Sequence, residues 1–113
     1  VNGEVSTVLP APDNAYHATS ATQTFTGVNG EVDYFIFDTN INGGNYLVNN
    51  YEPGLDLLIF TADPGDSVEI SARDSHVTYT NNTDSTHGQV DVNAVGDVFG
   101  TSIATVTGSL IFI

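Results

Sequence analysis

The apolar residues of this chain come in short runs, each closed off by Gly, Pro, Asn or Asp. "DYFIFD" (33–38) stands between "VNGEV" and "TNINGG", and "LDLLIF" (55–60) stands between "YEPG" and "TADPGD". Runs this short cannot build a helix with one buried face, whereas they suit strands. Helix formers are scarce, with no Lys, no Met and Arg73 as the one Arg. Gly, Asn, Asp, Thr and Val dominate, and they favour turns and strands.

The expected strands are 5–9, 22–26, 33–38, 46–49, 55–60, 67–72, 76–80, 89–93, 102–107 and 109–113. "SVEIS" and "QVDVN" alternate apolar with polar residues, the mark of half-buried antiparallel strands. "LLIF" is apolar on both faces and belongs at the centre of a sheet. Residues 10–20, "PAPDNAYHATS", read as a loop or extended arm. "VNGEV" occurs at 1–5 and again at 28–32, which suggests two turns of one kind. The fold class expected is all-β, an antiparallel β-sandwich or β-roll of short strands. A length of 113 residues fits a single domain, 1–113. The polar start suggests a piece excised from a larger secreted protein.

Charge limits the partners. Fourteen acidic residues face one basic residue, a formal net charge of −13. Nucleic acid is excluded as a partner, because nothing neutralises phosphate. An anionic membrane surface is disfavoured for the same reason, and no apolar run is long enough to insert. The chain has no Cys, so neither disulfides nor thiolate zinc sites are available. Oxygen is the abundant ligand, and oxygen suits Ca²⁺. Two explanations of the acids compete: solvated acids of a secreted or halophilic protein, and ligands to a divalent cation.

The second explanation has a local candidate in "GVNGEVDYF". Gly27 and Gly30 let carbonyls curl towards one point, Asn29 adds an amide oxygen, and Asp33 closes the ring at the strand start. The competing reading of the same residues is a tight turn with exposed acids.

Three blocks resemble the C-terminal regions of RTX-type proteins, secreted bacterial proteins with Ca²⁺-binding glycine-aspartate repeats. They are "GVNGEVDYFIFDT", "YLVNNYEPGLDLLIF" and "HVTYTNNTDSTHGQVDVNAVGDVFGTSIATVTG", together about residues 25 to 108. The resemblance implies calcium as cofactor, with Asp33 and the carbonyls around Gly27 and Gly30 as ligands, joined by Asp38, Asp56, Asp91 and Asp97. It also implies a capping role, in which Ca²⁺ outside the cell drives folding. The chain departs from the family at Asn45 and Asn50, where acids are common, at Val90-Asp91-Val92-Asn93, and in lacking a tandem repeat array.

Other groups weigh less. His17, His76 and His87 are scattered and read as surface residues. No Cys nucleophile and no G-x-S-x-G elbow is present, so an enzyme is not expected. Tyr34, Tyr46, Tyr51 and Tyr79 are candidates for a sugar-stacking face, or else pack as strand residues. Arg73 is expected to pair with Asp74 or Glu69. "NNT" at 81–83 fits a glycosylation sequon, and Asp84 in "NNTDST" reads as an inert loop acid. The function expected is a non-catalytic, calcium-stabilised extracellular accessory domain, with neighbouring domains of its parent chain as partners. The alternatives are a calcium-dependent carbohydrate-binding module that takes polysaccharide, and an adhesin domain.

Overall fold

The computed structural model describes residues 4–5, 11–94, 99–107 and 110–112. Among them there is no helix, and no helix is long and apolar enough to cross a membrane. The strands are β1 Glu4–Val5, β2 Asn14–His17, β3 Thr22–Thr26, β4 Asp33–Asp38, β5 Gly44–Tyr51, β6 Leu57–Thr61, β7 Ser67–Asp74, β8 His76–Asn81, β9 Thr86–Ala94, β10 Phe99–Thr107 and β11 Leu110–Phe112. One sheet has the order β1-β11-β6-β4-β2, the other β10-β7-β8-β9-β5-β3.

From β2 to β7 the chain changes sheet at every strand. Each return to a sheet therefore comes from the same end, and the returning strand lies parallel to its predecessor. β2, β4 and β6 are parallel neighbours, as are β3, β5 and β9. From β7 to β9 the links are hairpins and the pairing is antiparallel. The expected purely antiparallel arrangement is thus corrected to mixed sheets. Period-two alternation reports which face a side chain takes and carries no information on a neighbour's direction.

"LLIF" does lie centrally, between β11 and β4. Residues 14–17, expected in a loop, form edge strand β2 instead, with Tyr16 opposite Phe35 in register. Four residues ending next to a small polar stretch give too little pattern to see; the long strand beside them supplies the ladder. Most of the expected strand at 5–9, and the first "VNGEV" beyond Glu4–Val5, lie outside the described residues.

The two sheets share one core. Phe35, Phe37, Leu58 and Phe60 from β4 and β6 face Tyr46, Val48, Val77, Tyr79 and Val90 from β5, β8 and β9. Ring centroids lie 4.9 Å apart for Phe37–Tyr46 and 6.0 Å for Phe60–Tyr79. Each such side chain contributes about 1.5–3 kcal/mol by leaving water. The opposite face of β4 and β6 carries a smaller apolar group, Tyr34 and Ile59 with Val32, Ile36 and Leu57.

All four tyrosines proposed for sugar stacking are buried, the most accessible being Tyr34 at 4%. None offers a ring face to a ligand, which corrects that expectation. Tyrosine can serve as a core aromatic when its hydroxyl finds an acceptor at the edge. Tyr79 Oη donates to Ile41 O at 2.6 Å, and Tyr51 Oη to Asp56 O at 2.9 Å.

Candidate metal centre

β4 and β6 run parallel, so both begin at the same end of the molecule. The turn before each strand delivers acids there. Val28–Glu31 is closed by Glu31 N donating to Val28 O at 3.2 Å, with Gly30 at φ 77°. Glu52–Leu55 is closed by Leu55 N donating to Glu52 O at 3.1 Å, with Pro53 and Gly54 inside and Gly54 at φ 85°. Positive φ at the third position is what a type II turn demands, and Gly supplies it. Asp33 opens β4 and Asp56 directly precedes β6.

Asp33, Glu52 and Asp56 each bring a carboxylate oxygen to within 4.8 Å of the others. Asp33 is fully buried and Asp56 is 2% exposed. Five N–H groups hold these oxygens. Asn14 Nδ2 donates to Asp33 Oδ1, and Val28 N to Asp33 Oδ2, both at 2.8 Å. Asp33 N donates to Asp56 Oδ1 at 2.9 Å, and Glu52 N to Asp56 Oδ2 at 2.8 Å. Gly30 N reaches Glu52 Oε1 at 2.9 Å, tying one turn to the other. None of the five donors belongs to a cationic side chain.

The local field is negative. Burial raises the Asp56 carboxyl above the usual carboxylate range; the N–H groups of Glu52 and Asp33 pull it down, and the charges of Asp33 and Glu52 push it further up. Tyr16, stacked on Phe35 at 5.2 Å, has its phenol raised by burial and then by Asp33, Glu31 and Asp56. Glu31 shares the Asn14 amide with Asp33, accepting from Nδ2 at 2.8 Å.

The donor set suits a hard cation. Every candidate ligand atom is oxygen, and each carboxylate oxygen keeps a second lone pair after its hydrogen bond. Asp33, Glu52 and Asp56 are the residues that could hold such an ion, and their chemistry is compatible with Ca²⁺.

Of the residues singled out in the sequence, Asp33 and Asp56 are brought together. Gly27 packs on Asp33: a Cβ there would lie 2.8 Å from Asp33 Oδ2 and 2.9 Å from Asn50 O, so only Gly fits. Gly30 serves through its N–H. Asn29 belongs to a side arrangement in which Asn50 Nδ2 donates to Asn29 Oδ1 at 2.7 Å and to Gly27 O at 3.0 Å. Asp38 ends β4, at the far end from Asp33, and accepts from Asn40 N at 2.9 Å. Asp91 is on β9, paired with His76 at 2.7 Å with both side chains about half exposed. These two therefore join no common site with Asp33. Asp97 lies outside the described residues. Glu52 was missed, although "EPGLD" shows it four residues before Asp56 on a Pro-Gly turn.

A second acid group occupies the other end of β6. Asp63, Asp66 and Asp84 place carboxylate oxygens within 4.8 Å of one another. The turn Asp63–Asp66 repeats the Pro-Gly design, with Gly65 at φ 89° and Asp66 N donating to Asp63 O at 3.0 Å. Its centre is Asn81, fully buried. Asn81 Nδ2 donates to Asp66 Oδ2 at 2.9 Å and to Thr39 Oγ1 at 3.1 Å, and its Oδ1 accepts from Thr83 N and Asp84 N. Asp84 is thus part of an acid group, which corrects its reading as an inert loop acid. The same burial leaves the sequon's Asn81 with no room for a glycan in the folded chain. Arg73 is exposed, and among the described residues it makes no ion pair, against the expected pairing with Asp74 or Glu69.

No family model matches the chain, and neither the curated proteins nor the solved structures yield a match.

Proposed function

We propose that the chain is a non-catalytic, calcium-stabilised accessory domain of a secreted bacterial protein, built as a two-sheet β-sandwich or β-roll. One observation carries the reading. Two buried carboxylates, Asp33 and Asp56, share a site with Glu52 and no cationic side chain contacts any of them. Buried like charges oppose folding unless something neutralises them. Ca²⁺, when bound, supplies that positive charge. The chain's own residues hold two turns and two strand starts on one set of oxygens, so the same contact that neutralises the acids joins β4 to β6. Coupled folding and binding follows, because the unfolded chain has no such site.

The motif resemblance to RTX-type C-terminal regions supports an extracellular setting, where Ca²⁺ is plentiful. The parallel coiling from β2 to β6 is compatible with a roll-like origin. The adhesin and calcium-dependent sugar-binding alternatives draw no support from the tyrosines, which are core residues. Calorimetric titration of the chelator-treated protein with Ca²⁺ tests the proposal. Saturable binding that disappears in Asp33→Asn is the expected result. Absence of binding at millimolar Ca²⁺ would return the acids to the solvated class.

A further inference from the structure

The outward face of β5, β8 and β9 holds a cavity of about 390 Å³, open to solvent. It is at the Gly44 end of β5, while the Asp33 site adjoins the other end, near Asn50 and Tyr51. Its polar lining residues are Asn45, Thr78, Thr80, His87 and Gln89, joined by Tyr79 and three glycines.

The lining has an unusual chemistry for so acidic a chain. It contains no carboxylate and no Lys or Arg. Asn, Gln, Thr and neutral His each offer both a donor and an acceptor. Gln89 Nε2 donates to Asn45 Oδ1 at 3.2 Å, which fixes both amides and leaves the Asn45 amino group and the Gln89 carbonyl to face outward. Four residues along the same strands, Asn93 Nδ2 donates to Asn49 Oδ1 at 2.8 Å, and the pair between the two amide pairs is Leu47 and Asp91.

Each alternative ligand class fails on a specific point. An anion meets no positive charge here and a net charge of −13 overall. A cation meets no carboxylate in the lining itself, which Glu69, opposite Thr80, and Asp91, two residues beyond Gln89, only border. A peptide strand needs free main-chain groups, and those of β5, β8 and β9 are already paired in the sheet. Hydroxyl groups, which donate and accept at once, match the lining.

We propose that this groove binds a neutral glycan, with Asn45, Thr78, Thr80, His87 and Gln89 reading its hydroxyls. The site is independent of the acid group at Asp33 and needs no cation. The volume lies within the range of small-ligand pockets.

The test is an amide-resolved NMR titration of the whole chain with cellohexaose, xylohexaose, maltohexaose and chitohexaose, and with hexagalacturonate as the anionic comparison. At least one neutral hexamer should give saturable shifts centred on residues 43–45, 78–80 and 87–89, equally in Ca²⁺ and in EDTA. His87→Ala and Gln89→Ala, both outside the core, should each weaken that binding by about tenfold. Thr24→Ala, on β3 outside the groove, should leave it unchanged. No shift at those amides with any neutral hexamer, shifts centred elsewhere, or equal binding of hexagalacturonate would overturn the proposal. The Ca²⁺ reading is decided separately, by titration without sugar, so each can fail without the other.

Discussion

The two acid groups sit at opposite ends of β6, each on a Pro-Gly turn, yet they are built in opposite ways. At the start of β6, carboxylates are the buried centre and main-chain N–H groups surround them. At its end, a neutral amide, Asn81, is the buried centre and donates to the one buried acid, Asp66, while Asp63 and Asp84 stay exposed around it. Three acids within the same radius therefore mean different things. Charge that is buried must be neutralised or must weaken the fold; charge at the surface can rely on water. The contrast teaches that an acid cluster is informative according to where its oxygens are, and the number of acids is secondary.

The strongest way to break the contrast is to delete each centre. Asp56→Ala strips the acceptors from Asp33 N, which is buried, and from Glu52 N, which is part-buried. It should cost about 3 kcal/mol. Asp63→Ala, at the exposed group, should change stability by no more than about 0.5 kcal/mol. Urea unfolding of both variants checks this, and equal losses would erase the distinction.

Calcium should act on the first group alone. At free Ca²⁺ of about 100 times Kd, linkage adds about 2.7 kcal/mol, a melting shift on the order of 10 °C for a domain of this size. Asp33→Asn should abolish the shift and Asp63→Asn should keep it, at matched ionic strength in EDTA and in Ca²⁺. Asp33→Asn that loses the same stability in EDTA as in Ca²⁺ would make Asp33 a main-chain latch to Val28 and nothing more.

Asn81→Ala examines the second group from its neutral side. It removes acceptors for Thr83 N and Asp84 N and a donor to buried Asp66, and should cost about 2 kcal/mol whether Ca²⁺ is present or absent. A Ca²⁺-dependent loss, measured by the same melting curves, would show that both ends take the ion.

The smallest effect is in pH. Burial raises Asp56 in the folded chain, so the folded state takes up a proton before the unfolded state does. In EDTA, stability should therefore rise as pH falls from neutral through the raised value, until the ordinary carboxylate range near about 4 is reached. Bound Ca²⁺ favours the ionised form and reverses the slope. Melting temperature against pH, with and without Ca²⁺, tests the crossing; parallel curves would deny proton–Ca²⁺ competition.

Much of this was legible in the residues themselves. "TQTFT" and "DYFIFD" coincide with β3 and β4, because runs this short between turn residues suit a strand and cannot make a helix face. The central place of "LLIF" followed from its having no polar face. The burial of Asp33 follows from its place in phase with Phe35 and Phe37, both fully buried. Sequence spacing could also have found Glu52, since a Pro-Gly turn carries its flanking acids to the strand that follows.

The tertiary structure alone decided the rest. Strand direction depends on which sheet receives the next strand, and residues 14–17 became β2 only because β4 offered a free edge. Tyr46, Tyr51 and Tyr79 read as packed strand residues with a sugar face as the alternative, and the opposing sheet, which covers them, decided it. Asp33 and Asp56 lie 23 residues apart and meet because β4 and β6 are parallel neighbours in register, so that their starts coincide. Asp38 and Asp91 look like their equals in the sequence, but the same register carries Asp38 to the far end and the second sheet carries Asp91 to the surface. Local residue patterns determine which side of each strand leaves water; only the pairing of distant strands determines which carboxylates must share a buried site.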